Sequence, residues 1–379
     1  MNVIALAGLD GTNPLHVLAA LGALVLTEEL GDKGAKLGWA RVGGVYAPRL
    51  VTTIANEGWC EAIANLLRSK GAVKADEQGP TARKRVDGLR KQEKVLNEQA
   101  KALRGELVKE ATARGLRGNA KKTWGFERIQ AMQEQIEAAR RERSQAEEAL
   151  AVTLGFGPAH LGEIVGVPAS VFRLHAAHAL EREPSWARQL TALASDGCLE
   201  DNGNVTPTPY SFSNGSSGKK LLKDFRTLAG KCTGEKVAAS VLRGEPTLED
   251  ETALNWDPRD LRSYAHQWQD PADARAQTDV AANALAYVGL GLLPCFPGDR
   301  GLEAVGFLRQ GRTWGFTWPL WEPMLSADLV QATIASVAGP GFGIGAHAVR
   351  ARGLLAVYRS ERVNPTGKRN FFAPAEPLS

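Results

Sequence analysis

Two runs of apolar residues, spaced alternately by three and four and separated by helix breakers, constrain this chain more than any other feature. Val86, Leu89, Leu96, Ala100, Leu103 and Leu107 form the first run, with Glu93 in the one seam position that is not apolar. Ile129, Met132, Ile136, Ala139, Ala146 and Leu150 form the second, interrupted by Arg143. Such spacing is the heptad pattern of helices packed side by side. Gly115, Gly118 and Asn119 lie between the runs and supply what a helix needs to stop and reverse. The pattern predicts an antiparallel coiled-coil hairpin over 81–150, with arms of about 30 residues reaching roughly 45 Å at helical rise.

The same stretch holds the chain's positive charge. Residues 81–130 carry 14 Lys or Arg against 6 Asp or Glu, and residues 131–150 carry 3 against 5, a net +6 in a chain whose total is +4. Everything outside the hairpin is therefore slightly acidic. Attraction to phosphate follows local positive density rather than the average, so a basic excess on one projecting element points to a polyanion partner. Arg114, Arg117, Lys121, Lys122 and Arg128 surround Trp124 at the turn, and a positive tip with one stacking ring can grip a nucleic-acid backbone. The competing reading is an assembly strut whose charges are simply solvated.

With 379 residues, the chain can bury a sizeable core, and its length fits two domains plus the hairpin. No apolar run is long enough to cross a bilayer. The apolar start lacks a basic head and is broken by Asp10, Thr12, Asn13 and Pro14, so a soluble, cytoplasmic protein is expected. Cys60, Cys198, Cys232 and Cys295 form no CxxC pair, which argues against a zinc site or a disulfide framework.

The expected fold class is α+β: a mixed globular core, the inserted hairpin, and a more helical C-terminal half. Residues 1–80 read as strand (Asn2 to Ala7, buried), helix (Pro14 to Leu30, capped by Asn13), a β-hairpin across Gly43 and Gly44, and a second helix. Residues 151–250 continue the core and contain a loop of anion-binding type. Residues 251–379 read as a helical part ending in a strand pair around Asn364 to Gly367.

That loop, Ser213 to Lys220, precedes an apolar helical segment. Its small residues let backbone amides converge, the helix start adds partial positive charge, and Lys219 and Lys220 complete an anion site. It departs from the nucleotide P-loop, which needs Gly where Ser213 sits and a hydroxyl where Lys220 sits. The alternative is a surface loop whose Asn and Ser cap the next helix. Arg350, Arg352, Arg359, Arg362, Lys368 and Arg369 make the terminal hairpin a second basic edge.

Catalytic constellations are weaker. Asp257, Asp260, His266, Asp270 and Asp273 invite a metal-nuclease reading, but Asp257-Pro258 and Asp270-Pro271 also read as helix caps. His175 and His178 lack a third ligand at zinc-protease spacing. Trp256, Trp268, Trp314, Trp318 and Trp321 could stack on bases, although most tryptophans anchor cores. No nucleophile, helicase or dinucleotide motif is present, so no cofactor and no catalysis are expected.

Several segments, in order, resemble a known family: GTNPLHVLAALGALVLTEEL and LGWARV, then SNGSSGKKLLKDFRTLAG, then LNWDPRDLRSYA with ANALAYVGLGLLPCFP, then FTWPLWEP. They are similar to CRISPR-associated large-subunit-like proteins of type I Cascade effector complexes, subtype U or G. The likeness covers the opening and roughly residues 205–325. It implies a non-enzymatic subunit that contacts guide RNA and double-stranded target DNA near the adjacent motif, beside other Cascade subunits and a recruited helicase-nuclease. Of the resembling segments, only Asn214, Ser216, Ser217, Lys219 and Lys220 have suitable chemistry, and the 81–150 hairpin is not part of the family pattern. The expected contact residues are these five, Arg117, Lys121, Lys122 and Trp124 at the tip, and Arg359, Lys368 and Arg369 at the terminal edge.

Overall fold

A computed structural model describes residues 1–72, 79–154, 166–212, 220–260, 277–299, 301–311, 313–338, 346–364 and 370–378. The chain opens with β1 (Asn2–Ala5), α1 (Pro14–Glu29), β2 (Lys36–Val42), β3 (Val45–Thr52) and α2 (Asn56–Gly71). The inserted hairpin follows as α3 (Gly79–Ala113), the short α4 (Gly118–Thr123) and α5 (Phe126–Leu154). Then come α6 (Ala169–Arg182), α7 (Pro184–Leu193), β4 (Ala194–Leu199), β5 (Val205–Pro207), α8 (Leu221–Lys231), α9 (Gly234–Val237) and β6 (Leu248–Asp250). The last part holds β7 (Gln277–Asp279), α10 (Val280–Gly289), β8 (Cys295–Gly298), β9 (Gly301–Ala304), β10 (Phe307–Gln310) and β11 (Thr313–Trp321). It closes with α11 (Ala327–Ala338), α12 (Ala346–Ala351), β12 (Leu354–Val363), β13 (Phe371–Phe372) and β14 (Glu376–Pro377). The fold is mixed α+β.

The first helix forms as its sequence dictates. Asn13 caps it by accepting the Leu15 amide at 2.9 Å, and Pro14 fills the first turn, where no backbone donor is needed. Nearly every side of α1 is buried, because it crosses α10 backbone to backbone. A Cβ added at Gly22 would lie 1.9 Å from the Leu285 carbonyl oxygen, and one at Gly289 would lie 2.1 Å from that of Leu18. Only glycine permits this approach. The run of small residues in both helices is thus the imprint of their contact.

Two larger antiparallel sheets complete the body, the first against α1 and the second against α11. The first has the order β1-β3-β2, which puts β1 at an edge with only Ile4 buried; the strand expected to be buried is largely exposed there. The second runs β13-β12-β11-β10-β9-β8, with β14 added on β12. Leu37 of β2 exchanges backbone hydrogen bonds of 2.8 and 2.9 Å with Leu325, tying the two sheets together. Three tryptophans act as staples: the indole N–H of Trp318 reaches Gly11 O, that of Trp321 reaches Leu37 O, and that of Trp256 reaches Tyr210 O. All three are buried, so these rings hold the core and stack on no base; Trp314 is half-buried and Trp268 lies outside the described residues.

One cluster of buried apolar residues runs from Ile4 to Phe372 and takes in both sheets and α1, α2, α7, α8 and α10. The hairpin's buried residues Val86 to Ala139 are not part of it. The body therefore shares a single core, and the hairpin has a seam of its own that joins this core at its base through Ala151 of α5. The helical reading of 251–379 needs correction for the described residues: eight strands from β7 to β14 lie there against three α-helices. Aromatic and β-branched runs such as Thr313–Trp321 favour the pleated surface, and proline does not break that strand because Pro319 is accommodated opposite Val357.

Candidate nucleic-acid interface

Helices α3 and α5 pack against each other over part of the expected seam, and Leu96, Leu103, Ile129 and Met132 are only half-buried. Val86, Leu89, Glu93, Ala100 and Leu107 of α3 are buried while most residues between them are exposed, and Ile136, Ala139 and Arg143 of α5 are buried opposite. Interhelical contacts fix the antiparallel sense: Arg90 meets Glu147 near the base, Arg140 and Arg143 meet Glu93 midway, and Arg128 meets Glu110 near the tip. Towards its base α5 departs from the expected seam, burying Glu147 and Ala151 while Ala146 is half-buried or less and Leu150 is half-buried.

The two interruptions in the repeat are partners. Glu93 accepts from Arg140 Nε at 2.9 Å and from Arg143 Nη1 at 2.6 Å. Arg143 also donates to Asn204 Oδ1 at 2.9 Å, and Arg140 to the Asp201 carbonyl at 3.0 Å. These bonds anchor the hairpin's waist on the β4–β5 turn. The sequence marks each interruption, and an antiparallel register lets them meet, but it does not mark the turn that adds further acceptors for both arginines.

At the tip, Gly115, Gly118 and Gly125 all adopt positive φ, which reverses the chain through α4. The Trp124 ring is half-buried, with the Arg114 guanidinium 4.3 Å from its centroid. Its N–H donates to Glu110 at 3.3 Å. One face of the ring is therefore engaged by the protein itself. Lys122 and Arg117 are both exposed, Arg117 at the start of α4, and the Lys121 side chain lies outside the described residues.

The other candidates divide sharply. Asn214, Ser216, Ser217 and Lys219 lie outside the described residues, as do Lys368 and Arg369. Lys220 is exposed beside the start of α8, where Asp224 is buried. Burial raises the Asp224 carboxyl to about 6, against the opposing pull of Lys220 and Lys223.

Arg359 is a correction. It was expected on a basic edge, but β12 is an interior strand between β11 and β13, and its side chain is only 7 % exposed. It donates to Thr317 Oγ1 at 3.1 Å and passes over Gly315, where a Cβ would lie 2.9 Å from the guanidinium. Burial lowers its pKa, opposed by Glu361. Arg362 likewise lies against the rings of Trp314 and Phe307, at 5.6 and 5.9 Å. Arg359 is thus covered by the sheet and offers no free surface for phosphate, while Arg362 is half-buried.

Asp257 and Asp260, offered as metal ligands, sit at the mouth of α1. Asp257 takes Arg259 through Nε at 2.8 Å and Nη2 at 2.6 Å, and also accepts from the Asn13 amide at 3.2 Å. Burial pushes its carboxyl up, but the hydrogen bonds and charge of Arg259 outweigh it and hold the group below its usual range. His16 Nδ1 accepts the Asp10 amide at 3.0 Å. Desolvation lowers His16 to about 4, helped by Arg259 and opposed by Asp257 and Asp10. Among the described residues no group of three His, Cys, Asp or Glu is arranged to hold a metal ion; His266, Asp270 and Asp273 lie outside them, and His175 is buried in α6. Also among the described residues, no helix is long and apolar enough to cross a membrane. Compared with protein-family models and with curated proteins, the chain matches nothing.

Proposed function

We propose that this chain is a non-catalytic, cytoplasmic nucleic-acid-binding subunit of an RNA-guided surveillance complex, touching target DNA or guide RNA through its basic hairpin. The observation that carries this reading is the fate of the hairpin's charges. Its buried acids, Glu93 and Glu147, are taken up by arginines of the facing helix, whereas Lys122 and Arg117 stand exposed at the tip. A surplus of outward cations on a projecting element raises the local attraction for phosphate. The residue pattern shared with CRISPR large-subunit-like proteins supplies the biological setting.

The test is target-duplex binding by the assembled, guide-loaded complex after Lys121→Gln and Lys122→Gln, across a salt series. The reading expects the slope of log K against log salt to fall by up to about 0.9 for each phosphate no longer neutralised. An unchanged slope removes the tip from the interface. A second reading, a protein-docking strut, has its own support: Arg114 covers part of the Trp124 ring, and α5 turns Glu134, Glu137 and Glu142 outward. Crosslinks from residues 110–128 to protein alone, in the loaded complex, would favour the strut. Cleavage of labelled DNA by the isolated chain, lost in Asp257→Ala and with chelator, would instead revive a nuclease.

A further inference from the structure

The two arms of the hairpin carry opposite charge. Helix α3 has nine Lys or Arg against five acids, and α5 has four against six. Within α3 two arginines turn towards α5 and five lysines turn away from it. Arg85 and Arg90 flank the seam and reach across to Glu142 and Glu147. Lys84, Lys91, Lys94, Lys101 and Lys109 are all exposed, and at about 3.6 residues per turn they fall within roughly a third of the circumference, opposite the buried seam. Asp87 and Glu98 share that side. Glu98 lies 3.9 Å from Lys94, and Asp87 lies 3.7 Å from Arg90. Among the described residues no ion pair involves Lys84, Lys91, Lys101 or Lys109.

From Lys84 to Lys109 the stripe runs about 38 Å at helical rise, the length of roughly 11 base pairs of duplex. Because α5 braces α3 along the seam, the stripe is a stiff line of ammonium groups, suited to phosphates rather than to base edges. Single-strand binders add stacking rings to their cations, but α3 contains no aromatic residue, and the nearby Trp124 ring already packs against Arg114.

We infer that the outward face of α3 is a docking track for the phosphate backbone of double-stranded DNA, independent of sequence. This rests on the nucleic-acid reading above and moves its main contact from the hairpin's tip to its side.

The test uses the full-length chain and two labelled probes of mixed sequence, a duplex of about 25 base pairs and a single strand of the same length, from about 50 to 200 mM salt. The variant is Lys84→Gln/Lys91→Gln/Lys101→Gln/Lys109→Gln. Its control is Lys33→Gln/Lys36→Gln, on exposed body positions. With four contacts at about 0.9 each, wild-type protein should lose up to roughly 100-fold more duplex affinity than the variant over this range. The control should follow wild type, and the matching Lys→Arg variant should restore the steep slope. Parallel slopes for wild type and the Gln variant overturn the track, and if Lys122→Gln then flattens the slope, the nucleic-acid reading survives without it. An equal loss on the single strand overturns the duplex assignment. Wild-type protein that binds neither probe, alone or in the assembled complex, overturns the nucleic-acid reading and the track together.

Discussion

Arg143 in the hairpin and Arg359 in the large sheet are equally hidden, each 7 % exposed, yet they are buried in different ways. Arg143 faces the Glu93 carboxylate at 2.6 Å and adds an amide oxygen of Asn204. Arg359 has the hydroxyl of Thr317 and, among the described residues, no carboxylate in ion-pair reach, while each arginine leaves one nitrogen without a hydrogen bond, Nε in Arg143 and Nη2 in Arg359. In the helical seam a buried charge arrives with its counterion, because the partner helix presents side chains at matching depth. In the sheet the charge is covered by layering and keeps only the neighbour across the ladder. Removing a partner from the first kind of site should be costly, and removing the charge from the second should not.

The largest expected effect is that of Glu93→Ala, which leaves Arg140 and Arg143 without their shared carboxylate. Breaking a buried pair in this way costs about 3–5 kcal/mol. Amide exchange should accelerate in α3 and in α5 up to Arg143 while α1 and α10 keep their protection, since the buried hairpin residues from Val86 to Ala139 lie outside the main core, which α5 joins only at Ala151. Equal loss of protection in α1 would show that the hairpin and body do not unfold separately.

The next effect sharpens the comparison with a titratable group of the body. His16 has a folded pKa of about 4, below its ordinary 6.5. The unfolded chain therefore binds a proton more readily between these values, so stability is full above pH 6.5, declines towards pH 4 and levels off below. The decline amounts to roughly 3 kcal/mol. Urea denaturation across that range should show it, and His16→Gln should flatten the His16 contribution; an unaltered pH profile in the variant would assign the slope to other groups.

The smallest effect is that of Arg359→Met. A buried guanidinium with one hydroxyl partner, replaced by an apolar chain of similar length, should alter stability by no more than about 1 kcal/mol and leave duplex affinity unchanged. Weaker DNA binding at constant stability would return Arg359 to the interface.

The hairpin was legible in sequence because helical packing repeats every seven residues, so breaks in the pattern stand out. An antiparallel alignment that sets Ala100 opposite Ile136 also sets Glu93 opposite Arg143, and that pairing could have been read in advance. The α1 cap at Asn13 and the β2–β3 hairpin were equally local and equally readable. What escaped was set by distant partners. The small residues of α10 announced burial but not the glycine crossing with α1, and Arg359 looked like a surface cation because strand alternation does not reveal that both faces are covered. Of the tip residues, Lys122 stands exposed where the charge pattern placed it, while the engagement of Trp124 by Arg114 could not be inferred from composition.

The most direct test places a photoreactive side chain at position 91, 101 or 122 of the full-length protein, and at position 359 as the buried comparison. Each variant is irradiated at low salt with labelled duplex DNA in the assembled complex. The account predicts DNA adducts from 91 and 101, weaker or no adducts from 122, and none from 359, all disappearing as salt rises. Adducts to protein alone from 91, 101 and 122, with the DNA captured elsewhere, would contradict it.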